Sequence, residues 1–255
     1  MPFPSARTDA VAAKLLTLVE QVRALTVLPV AWARALSDQQ DLIDADVAQW
    51  LEVFGVNDGR HGLHSLLYAF GEYRALYYHR LSHGNATGAL LARLLRRWWK
   101  PTEGLELSTP EIGSGLFIAH GHATCIAAAS IGRNCWVHHG VTIGWYYRGG
   151  RAPIIGDGVF FGTGAVVLGE VTVGDGARIG ANAVVLCDVP PGATAVGAPA
   201  RIIPAAEGTQ PGPDGKEPVE LDARAASERQ ATLDAQRVAR IATSSASNTT
   251  ANTTA

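Results

Sequence analysis

Two histidines stand almost without polar company in GLFIAHGHATCIAAASIG, residues 115–132: His120 and His122, set among Ala, Ile, Phe and Gly. A second pair, His138 and His139, follows in CWVHHGVTIG. An imidazole titrates near neutrality, so it can pass a proton in either direction or ligate a metal. A solitary histidine in apolar surroundings is more often a satisfied core residue, so the element that carries the ring decides its chemistry. The three cysteines, Cys125, Cys135 and Cys187, have no CxxC or other ligand-like spacing. Their odd, sparse number argues against a disulfide framework and suits a reducing compartment.

The carrying element is legible from a period. Stepping by six from Ile131 gives Val137, Ile143, Gly149, Ile155, Phe161, Val167, Val173, Ile179 and Val185. All but Gly149 are apolar, and Gly149 lies in a Gly-rich loop. Glycine often follows, as at Gly132, Gly156, Gly162, Gly174 and Gly180, and a small or β-branched residue sits two places before, as at Cys135, Ala165 and Ala177. Neither a helix nor a simple strand repeats every six residues; stacked coils of a parallel β-helix do. The apolar residue points into a narrow prism, the small one fills the space beside it, and glycine is expected to turn the corner. Cys135 occupies a small-residue slot, which predicts burial rather than reactivity.

The repeat has one defect, and it contains His120. Ile112 and Ile118 are six apart, but Ile118 to Ile131 spans thirteen, one more than two repeats. An extra residue is therefore expected beside His120, and bulges re-aim side chains near functional sites. With eighteen residues per coil plus that extra one, His120 projects onto His139 one coil away. The two rings are expected on one face, near the strand spacing of about 4.8 Å, with His122 and His138 directed elsewhere.

Upstream, residues 1–104 read as an α-helical domain. SDQQDLIDADVAQWLEVFG has the Ser37/Gln40 spacing of a capping box and apolar residues at helical intervals. LHSLLYAFGEYRALYYHRL reads as one aromatic-rich helix, and ALLARLLRRWWK as a short basic helix packed with its arginines snorkelling. Residues 105–203 form the β-helix domain. Residues 204–255 read as a linker, a possible helix and a low-complexity tail. The 47% hydrophobic content of the 255-residue chain is enough for a sizeable core. A net charge of −2 gives no electrostatic reason for a nucleic-acid or anionic-membrane partner. No secretory signal or bilayer-spanning run is read in the sequence, so the expectation is a soluble cytoplasmic protein.

From about Glu106 to Ile203 the sequence resembles the serine O-acetyltransferase branch of the hexapeptide acyltransferases. The resemblance rests on IGSGLFIAHGHATCIAAASIGRNCWVHHGVTIG and on the closing VPPGATAVGAPARII. It implies a left-handed parallel β-helix, a homotrimer or dimer of trimers, and acetyl-CoA bound between adjacent helices as acyl donor, with no metal. It also implies that His120 is the general base and that Glu106, with a one-residue gap in LELSTPEIG, is the acid that orients it. Backbone at Gly144, Thr163 and Ala181 would line the pantetheine channel, Arg201 would meet a CoA phosphate, and Arg151 and His139 would serve the acceptor.

Ala119 and Ala152 stand where the family carries an acid and a histidine that contact serine, and WYYRGGRAP offers aromatic surface instead. The acceptor is thus expected to be serine or a related small hydroxy compound, with a sugar, polysaccharide or secondary-metabolite hydroxyl as the alternative. The terminal alanine, in place of the family's docking isoleucine, predicts no cysteine-synthase-type complex. Two further classes share the architecture: a zinc hydratase resembling carbonic anhydrases, for which His120, His138 and His139 are raw material, and a non-catalytic acyl-CoA binder. Direct transfer without an acyl-Cys125 intermediate is expected.

Overall fold

A computed structural model describes residues 28–55, 62–147 and 150–205; the readings of the chain start and of the tail beyond residue 205 lie outside them. Helix α1 covers residues 28–35, followed by α2 (Gln40–Val53), α3 (Gly62–Ala69), α4 (Gly71–His83) and α5 (Ala86–Leu95). None of the described helices is long and apolar enough to cross a membrane.

Local chemistry departs from the sequence reading in two places. The N-cap of α2 is Gln39, without a side-chain cap, and Ser37 instead accepts from the Gln39 N–H at 3.1 Å. The aromatic stretch expected to be one helix breaks at Phe70, whose backbone is extended. A tertiary contact sits at that break: a Cβ on Gly71 would collide with Thr102 Oγ1, and the Thr102 N–H donates to Gly71 O at 3.2 Å. Arg74 bridges the gap by donating to the carbonyls of Leu67, Tyr68 and Lys100. The basic stretch packs as read: α5, capped by Asn85, buries Gly88 and Ala92 and sets Leu91, Leu95 and Trp99 against the core, with the Arg96 guanidinium over the Tyr78 ring, while Leu90, Leu94 and Trp98 face solvent.

The remaining described chain winds as a three-faced parallel β-helix, the class read from the repeat. The first face stacks β1 (Leu105–Leu107), β4 (Thr124–Ile126), β7 (Thr142–Gly144), β10 (Val166–Leu168) and β13 (Val184–Val185). The second stacks β2 (Glu111–Ile112), β5 (Ser130–Ile131), β8 (Ile154–Ile155) and β11 (Thr172–Val173). The third stacks β3 (Phe117–Ala119), β6 (Trp136–His138), β9 (Phe160–Phe161), β12 (Arg178–Ile179) and β14 (Thr194–Val196). There β15 (Arg201–Ile203) folds back antiparallel on β14 and covers its edge. Ile118, Val137, Phe161 and Ile179 form one inward column, all buried. Cys135 is buried as its slot predicts, and burial pushes its thiol up to about 12.

Glycine serves the coil differently from the expectation. Left-handed backbone falls three residues after the inward residue, as at Asn134, Gly140, Gly158 and Gly164. The glycine directly after the inward residue answers a steric demand from the next coil. A Cβ on Gly132 would lie 2.5 Å from Gly156 C, and one on Gly162 would lie 2.7 Å from Ala181 N. Their absence lets Gly132 N–H and Gly162 N–H reach the next coil's carbonyls at 2.9 and 2.8 Å.

Helices and solenoid share one core. Trp50 of α2 is buried, packs its ring on Tyr73 and Phe117, and donates to Leu116 O at 2.8 Å. Arg80 of α4 donates through Nε and Nη2 to Asp46 at 2.9 and 3.2 Å, and reaches the Ile112 and Gly113 carbonyls of the first coil. Asp46 also accepts from the Gly115 N–H at 2.7 Å. Burial pushes the Asp46 carboxyl above its usual range against the opposing pull of Arg80 and Gly115. Beside this pair, His79 Nε2 donates to Thr109 O at 2.7 Å, while its buried Nδ1 has no partner. Desolvation, aided by the nearby charges of His83, Arg80 and Arg96, lowers its pKa to about 4.

Two outcomes follow from this interface. Asp46→Ala strands a buried guanidinium and should cost about 3–5 kcal/mol in denaturant unfolding. His79 is protonated in the unfolded chain before the folded one, so its share of stability is complete above about pH 6.5. That share is lost as pH falls toward about 4, by roughly 3 kcal/mol. Unfolding midpoints of wild type and His79→Gln across that window should diverge accordingly, the glutamine variant showing the flatter profile.

Candidate active site

The site grows out of the corner between the third and first faces. Strand β3 pairs with β6 through Phe117↔Trp136, Ile118↔Val137 and Ala119↔His138. His120 and His139 are the next residues on each strand, so the nineteen-residue projection holds. Their ring centroids lie 6.4 Å apart, edge to face, and both side chains are exposed. The same corner position, two residues after the inward side chain, falls on Thr163 after β9 and on Ala181 after β12. The register Phe161↔Ile179 sets those two on successive coils. One edge of the prism therefore carries His120, His139, Thr163 and Ala181 in a column, with about 4.8 Å between coils.

The irregularity is larger than one residue and lies in two places. Ile118 and Ile126, inward residues of consecutive strands, are eight apart, so the His120 turn gains two residues. Ile126 to Ile131 is five, so the following corner loses one. Buried Thr109 fills that shortened corner, donating to Ile126 O and accepting from the Ala128 N–H. In the enlarged turn, His120 and Ala123 take left-handed φ of 55° and 52°, a conformation L-residues avoid. Backbone bonds hold it: His122 N–H to His120 O at 2.6 Å, Gly140 N–H to His122 O at 3.0 Å, and Thr124 N–H to Gly104 O at 2.9 Å.

His122 is exposed, and His138 packs away from the pair. The His138 Nε2 accepts from the Trp136 indole N–H at 3.1 Å, and its ring sits 5.3 Å from Phe160. Desolvation, then the charges of His139 and His120, lowers its pKa, which matches a neutral, accepting ring. Among the described residues, no group of three His, Cys, Asp or Glu side chains could hold a metal ion.

Of the other residues singled out in the sequence, Gly144 and Arg151 lie apart from the histidine column, while Arg201 pairs with Val196 beside the last corner of the same edge. Glu106 stands on β1 opposite Cys125 and accepts from the Ser108 hydroxyl at 2.7 Å. Neither Glu106 nor any other described residue makes a hydrogen bond to the His120 ring. Cys125 is half-buried, and burial together with the Glu106 charge raises its thiol pKa. Gly144 is buried at the end of β7, where the chain leaves the first face. The excursion that follows exposes Trp145, Tyr146 and Tyr147 and carries Arg151, which is ion-paired with Glu170. Arg201 is exposed on β15. Gly144 and Arg151 thus occupy a different edge of the prism from His120.

The bacterial transferase hexapeptide family (six repeats) matches residues 152–187. The serine acetyltransferase of Helicobacter pylori strain J99 is 42% identical over 135 residues, which is 51% of this chain and 79% of that protein. The chain belongs to the serine acetyltransferase family. Among solved structures, serine acetyltransferase from Neisseria gonorrhoeae in complex with serine aligns with a TM-score of 0.51 and 32% identity. That match covers 65% of this chain and 69% of the other. A serine acetyltransferase in complex with CoA aligns with a TM-score of 0.51 and 30% identity, covering 64% and 69% of the two chains.

One contact to the turn had no signal in the sequence. Glu72, in the first turn of α4, accepts from the Gly121 N–H at 3.1 Å across 49 positions of sequence. A carboxylate early in a helix reads as a complement to the helix dipole, and nothing local ties it to residue 121.

Proposed function

We propose that this chain transfers the acetyl group of acetyl-CoA to the hydroxyl of serine, with His120 as general base. The observation that carries the reading is the column of His120, His139, Thr163 and Ala181 on one edge of a serine acetyltransferase β-helix. An exposed imidazole at one end of a row of corners suits a thioester lying along those corners. The imidazole nitrogen takes the proton of the serine hydroxyl as its oxygen attacks the thioester carbonyl. Collapse of the tetrahedral intermediate breaks the carbon–sulfur bond, and the departing CoA thiolate takes the proton from the imidazolium.

Serine as acceptor is supported by its place in the names and complexes of the relatives. With Ala119 and Ala152 in the positions of two family contacts, Arg151 is the group left to meet the serine carboxylate. Its partner Glu170 is itself exposed, and an exposed pair of this kind is weak enough to exchange for a substrate anion. Because Arg151 and Gly144 sit on a separate edge from His120, we read the working unit as a homotrimer or a dimer of trimers. In such an assembly, the histidine edge of one copy faces the excursion edge of another. A closed cyclic assembly sets one edge of each copy against a different edge of its neighbour in this way.

Direct transfer is favoured over an acyl-cysteine intermediate. The Cys125 thiol is disfavoured as thiolate by burial and by Glu106, and the thiolate is the nucleophilic form. In a free-CoA release assay with serine, His120→Ala should lose roughly 10²–10⁴-fold in kcat while CoA binding by calorimetry persists. Cys125→Ala should keep kcat within about threefold of wild type, since a Cys125 acyl carrier would make that change abolish turnover.

A further inference from the structure

We propose that Glu72 is a positioning residue for His120, fixing the enlarged turn from the helical domain; this rests on the reading of His120 as the base. Gly121 lies between the two left-handed residues of that turn and is buried. Its N–H is held by Glu72 Oε1 at 3.1 Å. A Cβ on Gly121 would meet Leu105 Cδ2 at 3.0 Å, Ile118 Cγ2 at 3.1 Å and Glu72 Cγ at 3.2 Å. The turn is therefore clamped between β1 below and α4 beside it. On the β1 side the residue that reaches it is apolar Leu105, while Glu106 is engaged with Ser108. The carboxylate at the turn comes from a helix instead.

The solenoid itself supplies the alternative that this bond opposes. Regular corners such as that at Gly140 or Gly164 become left-handed at the third residue after the inward side chain. In the His120 turn that third residue is Gly121, yet the left-handed residues are His120 and Ala123, the second and the fifth. A bond between a carboxylate and a backbone amide is charge-assisted and directional. Held at its N–H, Gly121 keeps the turn in the form that directs the imidazole outward. Released, the turn can relax toward the ordinary corner, for which glycine at the third position is well suited, and the ring loses its aim.

The test compares Glu72→Ala, Glu72→Gln and His120→Ala, singly and as the Glu72→Ala/His120→Ala pair. Displacing a catalytic group by about 1 Å costs on the order of 10²-fold, so Glu72→Ala should lower kcat by about 10–100-fold with the KM for acetyl-CoA moved less than about threefold. Glu72→Gln, whose amide oxygen still accepts from Gly121, should recover to within about threefold of wild type. Amide exchange at Gly121 should accelerate in the alanine variant and not in the glutamine one. The double variant should be no slower than His120→Ala. Wild-type kcat in Glu72→Ala, a loss that glutamine leaves unrepaired, or a double variant slower than His120→Ala would each overturn the proposal. An active His120→Ala protein would instead remove the base reading, and Gly121 exchange would then decide whether the clamp exists on its own.

Discussion

The guanidinium of Arg80 is the fixture on which the arrangement hangs. It leaves α4, pairs with Asp46 of α2, and ends on the Ile112 and Gly113 carbonyls of the first coil, so two helices and the solenoid meet at one buried group. A buried charge is costly unless each of its donors is satisfied. The first coil therefore cannot drift from the helices without exposing an uncompensated ion to an apolar interior. Trp50 adds area and a hydrogen bond to the same seam. With α4 set against the coil, the residues one face further along that helix acquire fixed positions relative to the corner carrying His120.

The β-helix contributes a different constraint, which is register. Each corner hydrogen-bonds to the one below, so a side chain at a given corner position is repeated at coil spacing along the edge. The histidine column is a consequence of that stacking rather than of any dedicated pocket. His138 illustrates the point by contrast: one residue before His139, it belongs to the outer surface of the third face and spends its lone pair on Trp136. A shift of one residue separates a ring that faces solvent from one absorbed into an aromatic ladder.

Much of this was legible in the sequence because the solenoid is local. The period of six, the inward column, the burial of Cys135 and the pairing of His120 with His139 follow from counting. Counting fails where an outcome depends on chain that is distant or on a neighbouring backbone. The glycines were visible, but not that they answer the next coil's main chain, since that demand appears only when coils are stacked. The net single insertion was visible, but not its division into a gain of two at His120 and a loss of one beside Thr109. The close approach beside the break at Phe70 comes from Thr102, and the hold on Gly121 comes from Glu72. Neither partner is close enough in sequence to leave a pattern.

The excursion after β7 has a consequence for how such a protein can change. Ser130 pairs with Ile154, a step of 24 residues, and Ile154 then pairs with Thr172, a step of 18. The chain thus leaves the prism for one extra hexad and re-enters in phase. Coils above and below are stacked as though nothing had been added. A loop inserted in whole hexads can be lengthened, shortened or rewritten while the interior stays sealed and the opposite edge keeps its alignment. The excursion edge can thus vary in length and side chains while the edge that carries His120, His139, Thr163 and Ala181 keeps its register.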